Sequence, residues 1–190
     1  LVETGDHAEA AALIDENLAT YAAVYPGGHP AQGFAYRNLG LLRLRQGRPR
    51  EARAALEQGL DIFRRTLGAD SPMIPRTERY VAEALLAAGR PDSAVIVADG
   101  VVARLRALRL PGHPAVVDAL RTAGLVRLAQ RRPHEAVALL AEALALREAS
   151  SAASDPALAQ LRRDLELARR AERPGPGAEL AGLAPSPPAP

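Results

Sequence analysis

Gln46-Gly47-Arg48-Pro49-Arg50-Glu51-Ala52 returns in outline as Ala88-Gly89-Arg90-Pro91-Asp92-Ser93-Ala94 and again as Gln130-Arg131-Arg132-Pro133-His134-Glu135-Ala136, each 42 residues after the last. Gly5 and Ala10 extend the same columns backward. A second set keeps the spacing without an insertion: His29-Pro30, Ser71-Pro72, His113-Pro114 and Asp155-Pro156. A fixed period of this length marks a repeat array whose units stack on their neighbours. It divides residues 1–172 into copies 5–46, 47–88, 89–130 and 131–172 after a four-residue stub.

Each copy carries the punctuation of two helices. The His, Ser or Asp before each Pro suits an N-cap, because its side chain can accept from a free N–H of the first turn, and Pro at the first helical position gives up nothing. Helices are therefore predicted from near 30, 72, 114 and 156. Gly47 and Gly89 can take the left-handed conformation that closes a helix, and Pro49, Pro91 and Pro133 open the next. That predicts further helices over about 49–67, 91–109 and 133–149, with an earlier one over 7–25. Apolar residues recur at three and four, as in Ala52, Ala55, Leu56, Leu60 and Phe63. No stretch alternates with the period of a strand. The predicted fold is all-α, an α-solenoid of antiparallel helix pairs.

These features resemble the tetratricopeptide repeat family, in the 42-residue variety of kinesin light chains. The residues that carry the likeness are Asn38-Leu39-Gly40, Gln46-Gly47-Arg48, Glu51-Ala52 and the linker Thr66-Leu67-Gly68-Ala69-Asp70-Ser71-Pro72. The resemblance covers roughly residues 5–172 and implies a right-handed superhelix. The last copy departs from it in having no second helix, and the third has Arg131 in place of the helix-ending glycine. Helix 156–172, with Arg162, Arg163, Asp164, Glu166, Arg169 and Arg170 around a stripe of Leu158, Leu161, Leu165 and Ala168, reads as a terminal cap with one wet face. Residues 173–190, rich in Pro, Gly and Ala, read as a disordered tail. Leu1-Val2 leads into Gly5 as the end of a helix would, and the sequence has no initiator Met, so the array is expected to continue upstream.

Composition narrows the function. Of 190 residues, 48% are hydrophobic and only 3% aromatic, so the core must be built from Ala, Leu and Val. All 24 basic side chains are Arg and none is Lys, which removes the P-loop, kinase-ATP and Schiff-base lysines. Cys is absent, so thiolate and disulfide chemistry is excluded. The four His are not spaced to share an ion, no acid/base pair stands out, and there is no Gly-x-Ser-x-Gly. The expectation is no catalysis in this segment, no cofactor and no metal. No apolar run approaches ~18 residues, so no membrane insertion is expected. Residues 1–36 hold five acids and no Arg, while residues 37–190 hold 24 Arg against 17 acids. The acidic opening argues against nucleic acid, and the segment reads as cytoplasmic.

One polar column remains: Arg37, Arg79, Arg121 and Arg163, one in each copy. The resemblance places it on the concave face, where related arrays clamp a peptide carboxylate with basic and Asn side chains. It implies a groove formed by Phe34, Arg37, Asn38, Arg76, Arg79, Tyr80 and Arg121, with Leu41, Glu83, Asp118 and Leu125 beside them. Guanidinium forks suit carboxylates or phosphates. Duplication alone could also repeat an Arg, leaving these side chains to pair with acids of adjacent helices. The functional reading is a non-catalytic scaffold that binds a protein or peptide, acidic and with one or two apolar side chains. The alternative is the C-terminal regulatory or sensing region of a larger bacterial enzyme such as a serine/threonine protein kinase. That alternative rests on the Lys-free, Ala/Arg-rich composition, which looks like a GC-rich bacterial coding sequence. Oligomeric state is not legible.

Overall fold

The computed structural model describes residues 7–108, 113–150 and 155–173; Leu1-Val2, Gly5 and the tail 174–190 lie outside these. The helices are α1 (His7–Val24), α2 (Pro30–Arg45), α3 (Pro49–Leu67), α4 (Met73–Ala87), α5 (Pro91–Ala107), α6 (Pro114–Ala129), α7 (Pro133–Ser150) and α8 (Pro156–Glu172), with no strand among the described residues. The helix limits follow the Pro and Gly columns to within two residues.

The N-terminal punctuation works as side-chain capping. Nδ1 of His29 and of His113 accepts from the N–H of Ala31 and of Ala115 at 3.2 and 3.1 Å, and Oδ1 of Asp155 accepts from Ala157 at 2.9 Å. Gln32 returns a bond to the His29 N–H, which completes a capping box. α4 starts one residue later than its column, at Met73, and there Oγ of Ser71 accepts from the Met73 N–H.

The helix ends are near copies of each other. Arg48, Arg90 and Arg132 donate their N–H to the carbonyls of Arg43, Leu85 and Arg127, each at 2.9 Å, around a left-handed residue. That residue is Gly47 (φ 68°), Gly89 (φ 70°) and Arg131 (φ 59°). The missing third glycine therefore changes the energy of the turn and not its shape. The last copy is a correction to the expectation, since it holds two helices, α7 and α8.

Neighbouring helices pack antiparallel, and the backbones of α2 and α4, of α4 and α6 and of α6 and α8 come together, whereas those of α1, α3, α5 and α7 do not, α5 reaching α7 through the Arg106–Glu142 ion pair at 2.6 Å. One layer is tight and the other splayed, so the array is curved with α2, α4, α6 and α8 on its inner side. The close approach that this needs comes from small residues. Gly33 lies under the Phe63 ring, Gly59 faces the Gly33 carbonyl, and Gly124 lies under Leu140. Ala52, Ala94 and Ala136 are fully buried. The Phe63 ring meets Phe34 edge-on at 5.0 Å.

Candidate functional site

Arg37, Arg79, Arg121 and Arg163 occupy one register position on α2, α4, α6 and α8, yet their surroundings differ. Arg121 turns toward the next helix, where its Nε donates to Oδ2 of Asp164 at 2.5 Å. Asp164 also accepts from Gln160 at 2.8 Å and is buried. This corrects the reading of Asp164 as part of a wet charged face: it stands in the column of buried Thr122, on the side of α8 that meets α6. Arg163 donates to Gln160 and is exposed.

Arg79 is held by acids as well. It pairs with Glu83 at 2.5 Å on its own helix, reaches to 3.9 Å from Asp118 on α6, and lies 4.0 Å from the centre of the Tyr80 ring. Glu83 in turn accepts from the Thr122 hydroxyl at 3.0 Å, so one carboxylate ties α4 to α6.

Arg37 has no such partner. Its guanidinium sits 5.0 Å over the Phe34 ring, its Nη1 is 3.9 Å from Sδ of Met73, and its Nε is buried without a hydrogen bond. Burial holds its pKa below the usual arginine value; the Tyr80 oxygen opposes that shift, and the charges of Arg76 and Arg79 add to it. Arg76 and Asn38 are exposed beside it. Phe34, Arg37, Arg76, Arg79 and Tyr80 thus form one positive, aromatic corner between α2 and α4, and Arg121 is drawn away toward α8. Met73, which flanks Arg37, was not read from sequence, although it is the single Met and follows the Ser71-Pro72 cap.

Another arginine, outside the column, has a network comparable to those of Arg79 and Arg121. Arg127 on α6 forks onto Asp99 of α5 at 2.8 and 3.0 Å and reaches Glu135 of α7 at 2.9 Å. Burial opposes its charge, but those two acids outweigh burial and raise its pKa. It is a strut across three helices. Among the described residues no three His, Asp or Glu converge as a metal site, and no helix is long and apolar enough to cross a membrane.

Comparison with known proteins bears on the whole array. The family model described as tetratricopeptide repeat matches residues 1–65 and 73–149. Among solved structures, the nearly identical TPR-like repeats assigned to a Podosopora anserina kinesin light chain share 25% identity, with 96% of this chain and 85% of that one covered and a TM-score of 0.73. BtubC (BKLC) from P. vanneervenii is 20% identical over 98% of this chain and 79% of its own, with a TM-score of 0.73. The Sgt2 TPR domain from Aspergillus fumigatus is 18% identical over 83% and 85%, with a TM-score of 0.54. Comparison with curated proteins gives no match.

Proposed function

Since the chain belongs to the tetratricopeptide repeat family, whose repeats mediate protein–protein interaction, we propose that it is a non-catalytic scaffold holding a partner's peptide segment on the face formed by α2, α4, α6 and α8. The observation that carries the choice of site is the state of Arg37. A half-buried cation with no carboxylate partner is costly unless something completes it, and a carboxylate of a bound peptide supplies the opposite charge. Exposed Arg76 brings a second positive charge to this corner, the Arg79 charge being met by Glu83, and Phe34 and Tyr80 offer apolar surface for one or two side chains. Arg121 contributes indirectly, because its Nε is engaged by Asp164.

The division into an array over 1–172 and a separate tail over 173–190, the cytoplasmic setting and an origin in a GC-rich bacterium belong to the same reading. They rest on the repeat period, the Pro-rich end and the all-Arg composition.

The test is an array of twelve-residue peptides carrying Asp or Glu with one aromatic or Leu, probed with the purified chain and with Arg37→Ala and Arg163→Ala. Losing a charge-assisted contact in a desolvated corner costs about 1.5–3 kcal/mol, or roughly ten- to hundredfold in affinity. Arg37→Ala should lose the acidic binders and Arg163→Ala should keep them. If Arg37→Ala keeps every binder, the site is elsewhere.

A further inference from the structure

The outer layer departs from its own repeat at α5. Position 96 is Ile where the matching residues are Ala12, Ala54 and Ala138, and position 100 is Gly where they are Glu16, Gln58 and Glu142. Both face solvent. Ile96 is 74% exposed, more than any other large apolar side chain described, and a Cβ on Gly100 would meet no atom within 4 Å. Gly33, Gly40, Gly59 and Gly124 each have a neighbouring helix pressed against them; Gly100 has none. A glycine inside a helix weakens it, and nothing within the described fold requires this one.

Ile96 and Gly100 border a cavity of about 530 Å³ between α3 and α5, floored by Leu60 and Val81. Past Glu57 it adjoins a cavity of about 500 Å³, and past Arg64 and Arg104 one of about 410 Å³. Together they make one groove along the outer side of α4. α4 has 15 residues, so the groove is about 22 Å long, or four helical turns.

The two ends differ in charge. Arg50, Arg53 and Arg90 surround the end where α3 and α5 begin, Arg53 paired there with Glu57 at 2.7 Å. Arg50 is exposed and Arg90 donates to the Ser93 hydroxyl. Asp61 borders the groove's other half, 3.5 Å from Arg64, and Asp70 its far end, both exposed, while Glu78 there is bridged to Arg64 and Arg104 at 3.1 and 3.2 Å. A helix carries partial negative charge at its C-terminus and positive at its N-terminus. The complementary orientation points a helix C-terminus at the arginines and its N-terminus at Asp61 and Asp70, antiparallel to the flanking α3 and α5.

We propose that this groove is a second docking surface, independent of the concave face, and that its occupant is an amphipathic helix of a partner protein. That helix spans about four turns, lays an apolar stripe over Ile96 and Gly100, and carries carboxylates in its C-terminal turn. Gly100 lets its backbone approach closely, and Ile96 enters the gap between its turns.

The probe is a fluorescent, hydrocarbon-stapled sixteen-residue helix with Leu and Ala on one stripe and Glu in the last turn, titrated into the full chain by anisotropy. A second probe has the Glu residues in the first turn. Ile96→Ala/Gly100→Glu gives α5 the residues that α1 and α7 carry at these positions and should not lower the melting temperature. The expected result is saturable binding of the first probe, at least tenfold weaker for the second. Ile96→Ala/Gly100→Glu should weaken it at least tenfold and Arg37→Met should leave it unchanged. Equal binding of both probes, no saturable binding, or wild-type affinity in the double variant overturns the proposal. So does loss in Arg37→Met alone, which puts the helix on the concave face, or self-association of the wild type that the double variant abolishes.

Discussion

Arg121 and Asp164 are joined at 2.5 Å across α6 and α8, and the Asp164 side chain is only 10% exposed. At that depth both carboxylate oxygens are hydrogen-bonded, one by the Arg121 guanidinium and the other by the Gln160 amide. The third arginine of the column therefore serves the stacking of the last copy.

Removing Arg121 would leave that buried carboxylate one donor short. Arg121→Ala should destabilise the chain by about 1–3 kcal/mol, and Asp164→Ala by a similar amount. In a double-mutant cycle read by urea unfolding, the two should couple by at least ~1 kcal/mol. A coupling near zero would mean the pair is incidental.

Gly40 tests the register of the hairpin between α2 and α3. A Cβ there would stand 2.5 Å from Cγ of Leu56 and 3.1 Å from the carbonyl oxygen of Ala52, a backbone atom that cannot swing away. Gly40→Ala should lower stability by about 1–3 kcal/mol through overpacking, although Ala favours a helix by about 1 kcal/mol. Ala94→Leu, at a fully buried site on α5, should fall in the same range. A gain in stability for Gly40→Ala would show that the helices are not this close.

Arg131 holds φ 59° in a turn whose two counterparts are glycine. A left-handed L-residue costs roughly 1–2 kcal/mol, of which glycine gives part back through its freer unfolded chain. Arg131→Gly should raise stability by about 0.5–1 kcal/mol, measurable as a melting temperature higher by a few degrees. A lower melting temperature would assign the Arg131 side chain a structural role.

Much of the fold was legible because its signals are local. Pro49, Pro91 and Pro133 fix first turns, Gly47 and Gly89 fix last turns, and His29, His113 and Asp155 cap through their own side chains, so each boundary is written within three or four residues of itself. The candidate site was legible only as a column. Spacing put Arg37, Arg79 and Arg121 in register, but whether each is free depends on the acids around it: Glu83 one turn along Arg79's own helix, and Asp118 and Asp164 brought in from other helices. The burial of Asp164 could have been suspected from its place in the column of Thr122, and the contact of Met73 with Arg37 could not, since it depends on how α4 leans over α2. The exposed Gly100 was visible in the sequence too, but only the packing distinguishes it from the glycines that relieve a clash.

Arg37 provides the sharpest separation of structure from function. Its guanidinium is half-buried, lacks a bond at Nε, and has its charge opposed by burial and by Arg76 and Arg79. What stabilises it is the Phe34 face, worth about 0.5–1 kcal/mol. Arg37→Met keeps an apolar stem of similar length against Phe34 and Met73 and removes the unpaired charge, so stability should stay level or rise by about 1 kcal/mol. The same variant should lose the acidic peptides. A residue retained at a cost to the fold but required for binding is a binding residue; one whose replacement by Met destabilises by more than ~1 kcal/mol is part of the scaffold. Urea unfolding of Arg37→Met beside its peptide affinity therefore decides between the two, and a destabilised variant that still binds acidic peptides would remove Arg37 from the site.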